Sequence, residues 1–108
     1  MNYILKIKPL SVNQAFKGKR FKTDKYDSFI YKMHCILPDK INIVNPNKMR
    51  LAVEFGFSSS ASDIDNCLKT FIDCLVKKYK VDDRYIYELH VFKSIVKKGE
   101  EFIKFKIY

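Results

Sequence analysis

Alternation opens the chain. Tyr3, Leu5 and Ile7 fall on one side of a segment that runs to Lys8, with Lys6 and Lys8 on the other, the period-two pattern of a half-buried strand. Pro9 ends it, and a polar loop through Ser11, Asn13 and Gln14 follows. The next pattern is helical: Tyr26, Phe29, Ile30, Met33 and Leu37 recur at one-turn spacing, Thr23 or Asp24 offers an N-cap, and Pro38 stops the run. A turn-rich stretch from Pro38 to Asn47 leads into a second strand, Met49 to Phe57, whose Leu51, Val53, Phe55 and Phe57 share a face. Ser58 to Ser62 reads as a small-residue loop. A second helix is predicted from about Asn66 to Tyr79, burying Leu68, Phe71, Ile72, Leu75, Val76 and Tyr79. Strands from Tyr85 to Lys93 and from Phe102 to Ile107, joined through Lys97, Lys98 and Gly99, complete the order β-α-β-α-β-β. That order predicts an α+β fold, a mixed β-sheet with two helices. At 108 residues, 47% of them hydrophobic, the chain has material for one core and no room for a second, so residues 1–108 are expected to form a single domain.

Charge narrows the function. Lys and Arg number 21 against 12 Asp and Glu, an imbalance that calls for a polyanionic partner, either nucleic acid or an anionic membrane surface. No apolar run approaches the roughly 20 residues that span a bilayer, and the N-terminus has no signal-peptide pattern. The expectation is a cytoplasmic protein that does not engage membranes. Between Lys17 and Lys25 the basic residues Lys17, Lys19, Arg20, Lys22 and Lys25 crowd together, favouring phosphate contact. Phe16 and Phe21, interleaved with them, read as core anchors. Cys67 and Cys74 stand seven apart on the predicted helix, about 10.5 Å by helical rise, beyond the roughly 7 Å a disulfide tolerates. They and Cys35 are expected to be reduced, partly buried thiols. His34 and His90 lack metal-ligand spacing, and no Gly-rich phosphate loop, Ser-His-Asp pattern or zinc motif is present, so no organic cofactor is expected.

The densest chemistry lies at Asp63-Ile64-Asp65-Asn66-Cys67-Leu68-Lys69, with Asp73 beyond it. In an extended segment, residues two apart point to the same side, so Asp63 and Asp65 would present paired carboxylates. Lys69 follows Asp65 by one helical turn. Adjacent carboxylates repel unless something compensates. Lys69 offsets part of the charge, and a divalent cation such as Mg²⁺ or Mn²⁺, which prefers hard oxygen ligands, would offset more. Metal-held carboxylates with a nearby lysine suit phosphodiester hydrolysis. Each residue also has an ordinary structural reading. Asp65 could cap the helix, Asp63 and the pair Asp82-Asp83 could close turns, and Asp73 could be a solvated helix position. Asp83 leaves the helix at the end opposite Asp65, and could join it if the next strand ran back with its leading end bent toward the site. Acidic residues clustering across a dimer are the other route.

The stretch Asp63-Ile64-Asp65-Asn66-Cys67-Leu68-Lys69, with Asp73 four residues after the lysine and Asp82-Asp83 after the helix, resembles the signature of the RusA-type Holliday junction resolvases. Pro9, Ser11 and Asn13 resemble the Pro-Ser-Asn segment that follows the first strand in that family. The resemblance implies a RusA-like fold and a homodimeric, Mg²⁺-dependent endonuclease, with Mn²⁺ as an alternative metal. Its substrate would be four-way DNA junctions, nicked symmetrically in a bacterial, phage or prophage setting. It implies Asp63, Asp65 and Asp83 as metal ligands and Lys69, with Asp65, as catalytic. Asn13 and the basic loop (Lys17, Lys19, Arg20, Lys22) would face the DNA. The chain departs from the family pattern at three places: Ser58 to Ser62 stands where relatives often place basic residues, which bears on junction affinity; Tyr79-Lys80-Val81 replaces a glycine after the helix; and Leu10 and Val12 interrupt the Pro-Ser-Asn segment. A less selective branched-DNA or flap nuclease, and a non-catalytic basic DNA-binding module, remain the alternatives.

Overall fold

The computed structural model describes residues 2–18 and 21–108. In chain order the elements are β1 (Tyr3–Leu5), a one-turn helix α1 (Val12–Ala15), the two-residue strands β2 (Phe16–Lys17) and β3 (Phe21–Lys22), and α2 (Asp24–Ile36). Then come β4 (Met49–Phe57), α3 (Leu68–Tyr79), a 3₁₀ turn (Asp83–Tyr85), β5 (Ile86–Ile95) and β6 (Phe102–Ile107). The main sheet has the order β1-β6-β4-β5. Its β1–β6 and β6–β4 pairs are antiparallel, whereas β4 and β5 run parallel. A parallel pair cannot be closed by a hairpin and needs a crossover, which α3 provides. This is the mixed-sheet α+β architecture that the hydrophobic pattern predicts.

One face of the sheet makes the core. On β4, Met49, Leu51, Val53, Phe55 and Phe57 are buried, and on β6 Ile103, Phe105 and Ile107 join them. Phe71 of α3 packs edge-on against Phe55 and Phe105, with ring centroids 6.1 and 5.2 Å apart. Such contacts add to the transfer free energy of the buried rings. Helix α2 lies against α3 and contributes buried Tyr26, Phe29 and Met33. Thr23 caps it as expected, accepting from the Tyr26 amide at 3.2 Å. At its other end the Lys78 ammonium donates to the Leu37 carbonyl at 2.8 Å and to that of His34. A cation there complements the unsatisfied carbonyls and the negative end of the helix dipole.

Among the described residues no helix covers the second face of the sheet. Register sets Ile4 beside Lys104, Lys104 beside Glu54, and Glu54 beside Phe92, so apolar and charged side chains cross it in one row. Gly56 also lies here. A Cβ at that position would meet the Phe102 ring at 2.3 Å, so the aromatic ring occupies the place of the missing side chain.

Several expectations need correction. The polar loop after Pro9 is partly the helix α1, because the Ser11 hydroxyl accepts from the Gln14 amide at 3.3 Å and caps a single turn. The basic loop folds in part as the β2–β3 hairpin, in which Phe16 is half-buried but Phe21 is 74% exposed and anchors no core. Cys35 is exposed too, since it lies off the buried stripe of α2; Cys67 and Cys74 are buried free thiols. Burial pushes both thiols up to about 12, which leaves them protonated and unreactive at neutral pH.

Candidate active site

The site is built around the N-terminal end of α3. Residues Asp63 to Cys67 form consecutive turns rather than an extended segment: the Asn66 amide donates to the Asp63 carbonyl and the Leu68 amide to the Asp65 carbonyl, both at 3.2 Å. The helix therefore starts at Leu68, later than the periodicity predicts, and Cys67 occupies the N-cap position without a side-chain hydrogen bond. Asp65 is no helix cap. The two-residue alternation of a strand does not orient the Asp63 and Asp65 carboxylates; a turn does. Both residues are exposed. Among the described residues neither takes part in a side-chain ion pair, whereas Asp39, Asp82 and Glu88 do.

Two hydrogen bonds fix this turn against the segment after β1. The Val12 amide donates to the Asn66 carbonyl at 2.9 Å. The Thr70 hydroxyl, fully buried, donates to the Leu10 carbonyl at 2.6 Å and lies 2.9 Å from the Cys67 carbonyl. A buried backbone carbonyl without a partner is costly, so Thr70 holds Leu10 in place. The consequence is a shared depression of about 550 Å³ lined by Val12, Asn13, Phe16, Gly18 and Lys69. Asn13 and Lys69, far apart in sequence, thus line one depression, whose Val12 is bonded to the last residue of the Asp63–Asn66 turn. The Lys69 ammonium stands 5.8 Å from the centre of the Phe16 ring.

The same helix face continues as Lys69, Asp73 and Lys77, spaced one turn apart. Asp73 is not a solvated position. It is half-buried and accepts from the Tyr26 hydroxyl at 3.2 Å, linking α3 to α2. Burial, and secondarily the Asp73 charge, push the Tyr26 phenol up to about 12. Lys22 of the hairpin and Lys77 of α3 sit over the same Tyr26 ring, at 5.1 and 5.8 Å. The cations Lys22, Lys69 and Lys77 therefore border one surface, with exposed Lys17 on the hairpin strand paired to β3. Sequence reading missed Lys77, although its i, i+8 relation to Lys69 was legible. Lys19 and Arg20, expected to face DNA, lie outside the described residues.

The serine loop has a tertiary partner of its own. Lys93 on β5 donates to the Ser60 carbonyl at 3.0 Å and to that of Ser62, pinning the loop just before Asp63. A positive charge is thus supplied from a distant strand where the loop itself has none. A second cleft of about 380 Å³, lined among others by Lys8, Ser11, Ser62, Asn66 and Glu101, opens on this side.

Asp83 is elsewhere. It begins the 3₁₀ turn after α3, capped by Asp82, whose carboxylate accepts from the Arg84 amide at 3.1 Å and pairs with its guanidinium at 2.9 Å. Helix α3, with 12 residues, separates Asp83 from Asp65 by about 18 Å of helical rise. Strand β5 does not bring it back. Its start pairs with the start of β4 (Ile86 with Met49), and its end pairs with the end of β4 (Ile95 with Phe57), from which the Asp63 loop departs. Among the described residues no three His, Cys, Asp or Glu side chains gather where a metal could be held. Asp63 and Asp65 supply the hard oxygens such an ion prefers, but one chain does not add Asp83 to them.

A family model for the endodeoxyribonuclease RusA matches residues 7–106. The chain belongs to the RusA endodeoxyribonuclease family. The match leaves out β1 and takes in the helices, β4, β5, nearly all of β6, the Pro9–Asn13 segment and both acidic stretches. No curated protein matches the chain. Membership makes the RusA-family chain a nuclease by descent, of a family that acts on branched DNA, and it agrees with the mixed sheet and helices described above. No helix among the described residues is long and apolar enough to cross a membrane.

Proposed function

We propose that this RusA-family chain is a divalent-metal-dependent endonuclease that resolves four-way DNA junctions by paired, symmetric nicks. The observation that carries the reading is the convergence at one end of α3. The Asp63–Asp65 turn, Lys69 and Asn13 are held together by the Val12–Asn66 and Thr70–Leu10 hydrogen bonds. In this reading Asp63 and Asp65 hold Mg²⁺, or Mn²⁺ in its place, and Asp83, a helix length away in the same chain, would join them only from the second subunit of a homodimer. The bound ion would supply an activated water and neutralise charge on the scissile phosphate. Lys69, aimed into the open depression, stabilises negative charge developing on the phosphate oxygens. Asn13, Lys17, Lys19, Arg20 and Lys22 are assigned to DNA contact, and Lys77 extends their surface. Phosphate contacts of this kind position the duplex without reading its sequence. Two sites related by a two-fold axis, one per subunit of a homodimer, fit symmetric cutting of opposed strands.

A labelled mobile four-way junction and an equal-length duplex, each incubated with Mg²⁺, with Mn²⁺ and with chelator, test this. The expected result is paired nicks in the junction alone, abolished by chelator. Comparable cutting of a flap substrate would assign a broader branched-DNA nuclease. Salt-sensitive binding with no cutting in either metal would refute the enzyme and leave a DNA-binding module.

A further inference from the structure

The loop from Ser58 to Ser62 has little with which to hold itself. Every side chain in it is Ser or Ala, too small to anchor a loop by packing. Its own bonds close a single turn: the Ala61 amide donates to the Ser59 hydroxyl at 3.2 Å and the Ser62 amide to the Ser59 carbonyl at 3.3 Å. Asp63 follows directly, so the loop sets where the acidic turn begins. The far end of that turn is fixed by the Val12 amide and the Thr70 hydroxyl. The near end is fixed from β5. Lys93 stands in register with buried Phe55, and residues paired across neighbouring strands share a face, so it leaves the sheet on the side where α3 packs. The Val96 amide donates to the Phe57 carbonyl at 2.7 Å and ties the end of β5 to the point where the loop departs. From this firm base the Lys93 ammonium donates to the Ser60 carbonyl at 3.0 Å and to that of Ser62.

We infer that Lys93 is a positioning residue: it fixes the near end of the acidic turn through the main chain and so holds the Asp63 carboxylate in place for cleavage, without itself touching DNA. An ammonium has three N–H donors, and here two are committed to loop carbonyls, charge-assisted bonds stronger than those between neutral groups. Among the described residues Lys93 forms no ion pair, so its hold is on the backbone and not on the Asp63 carboxylate. The turn is thereby suspended between two anchors, Lys93 before Asp63 and the Val12 and Thr70 bonds after Asp65. Without the first, Asp63 would swing with a loop that cannot hold itself, whereas Asn66 and Lys69, beside the second, would stay. A misplaced carboxylate slows the chemical step and leaves the basic surface that grips phosphates untouched. The catalytic consequence rests on the metal-nuclease reading above; the clamp on the turn does not.

Three variants of the full-length chain test it: Lys93→Met, which keeps the stem and removes the donors; Lys93→Arg, which restores them; and Lys98→Met, which removes an exposed charge from the β5–β6 connection. The first readout needs neither metal nor DNA. In chelator, amide hydrogen exchange at Ser62 and Asn66 is expected to be about ten-fold faster in Lys93→Met than in wild type, with the α3 amides and the melting temperature unchanged. The second is cleavage of a four-way junction. The single-turnover rate of Lys93→Met is expected to fall by about ten- to hundred-fold while the half-saturating enzyme concentration and the salt dependence of binding stay at wild-type values. Lys93→Arg is expected to recover both protection and rate to within about three-fold, because a guanidinium also presents several donors, and Lys98→Met to match wild type in every respect. Weakened binding with a shallower salt dependence and an unchanged rate would make Lys93 a phosphate contact and overturn the inference. Unchanged exchange in Lys93→Met, or faster exchange with unimpaired cleavage, would overturn it equally. A wild type that cuts nothing in either metal would instead defeat the nuclease reading, and the exchange comparison would still decide whether Lys93 fixes the turn.

Discussion

The two ends of α3 carry acidic residues of the same signature in opposite states. At the N-terminal end, tertiary hydrogen bonds from Thr70 and Val12 lock the Asp63–Asn66 turn to the segment that carries Asn13, and Lys69 closes the group. At the C-terminal end, Asp83 stands exposed on a 3₁₀ turn held by local bonds: Asp82 caps it and pairs with Arg84, and the Tyr85 and Ile86 amides donate to the Asp82 and Asp83 carbonyls. One end is organised by contacts distant in sequence, the other by contacts two or three residues apart. Rigid support from distant elements is what a catalytic constellation needs. The Asp82 carboxylate serves its own turn, whereas Asp83 closes that turn through its carbonyl and leaves its exposed side chain outside the ion pairs of the described residues.

Changes at the two ends sharpen that comparison. Asp65→Asn is expected to lower junction cleavage by on the order of 10³-fold while leaving junction binding and melting temperature unchanged, as gel-shift and thermal denaturation would check. Asp83→Asn is expected to match that loss although it lies at the far end of the helix; retained activity would mean that only the N-terminal end is catalytic. Lys69→Ala is expected to lower the cleavage rate by about 10²-fold, with little change in fold because the side chain is exposed. Thr70→Val breaks the bond that holds the two segments together. It is expected to cost about 1–3 kcal/mol in urea denaturation, and to weaken cleavage through displaced Asn13 and Asp63.

Smaller effects follow along the helix. Tyr26 keeps its proton in the folded chain to about pH 12, while an unfolded tyrosine releases it near 10. Its contribution to stability is thus complete below pH 10 and is lost as pH rises toward 12. Tyr26→Phe should flatten part of that alkaline decline, measured by denaturation at a series of pH values; the remainder belongs to Tyr79, Cys67 and Cys74, which burial also pushes up to about 12. The smallest change is expected at the other end. Asp82→Ala removes one cap from a short exposed turn and should cost about 0.5–1 kcal/mol.

Local pattern made much of the fold legible. Period-two alternation marked Met49–Phe57 and Phe102–Ile107, and the Tyr26–Leu37 stripe with its Thr23 cap marked α2. Where local signals were weak, expectation departed from structure. Helix α1 is a single turn, too short for periodicity to register. The β2–β3 hairpin hides in a run of charges, and Phe21 there is apolar but exposed. Helix α3 begins after Cys67 because the preceding residues bond to one another in turns, a competition that an apolar stripe does not reveal.

By itself the sequence determined the α+β class, the polyanion-binding charge, and the acidic signature with its lysine, since each depends on residue type and short spacing. The tertiary structure alone decided what those residues can reach. It brought Asn13 to Lys69, set Lys93 against the serine loop, turned Asp73 inward to Tyr26, and left Asp83 a helix length away from Asp65. Spacing along a chain fixes distances only within one element. Between elements they follow from strand order and direction, and here the parallel pairing of β4 with β5 carries the start of one acidic site to the opposite end of the sheet from the other.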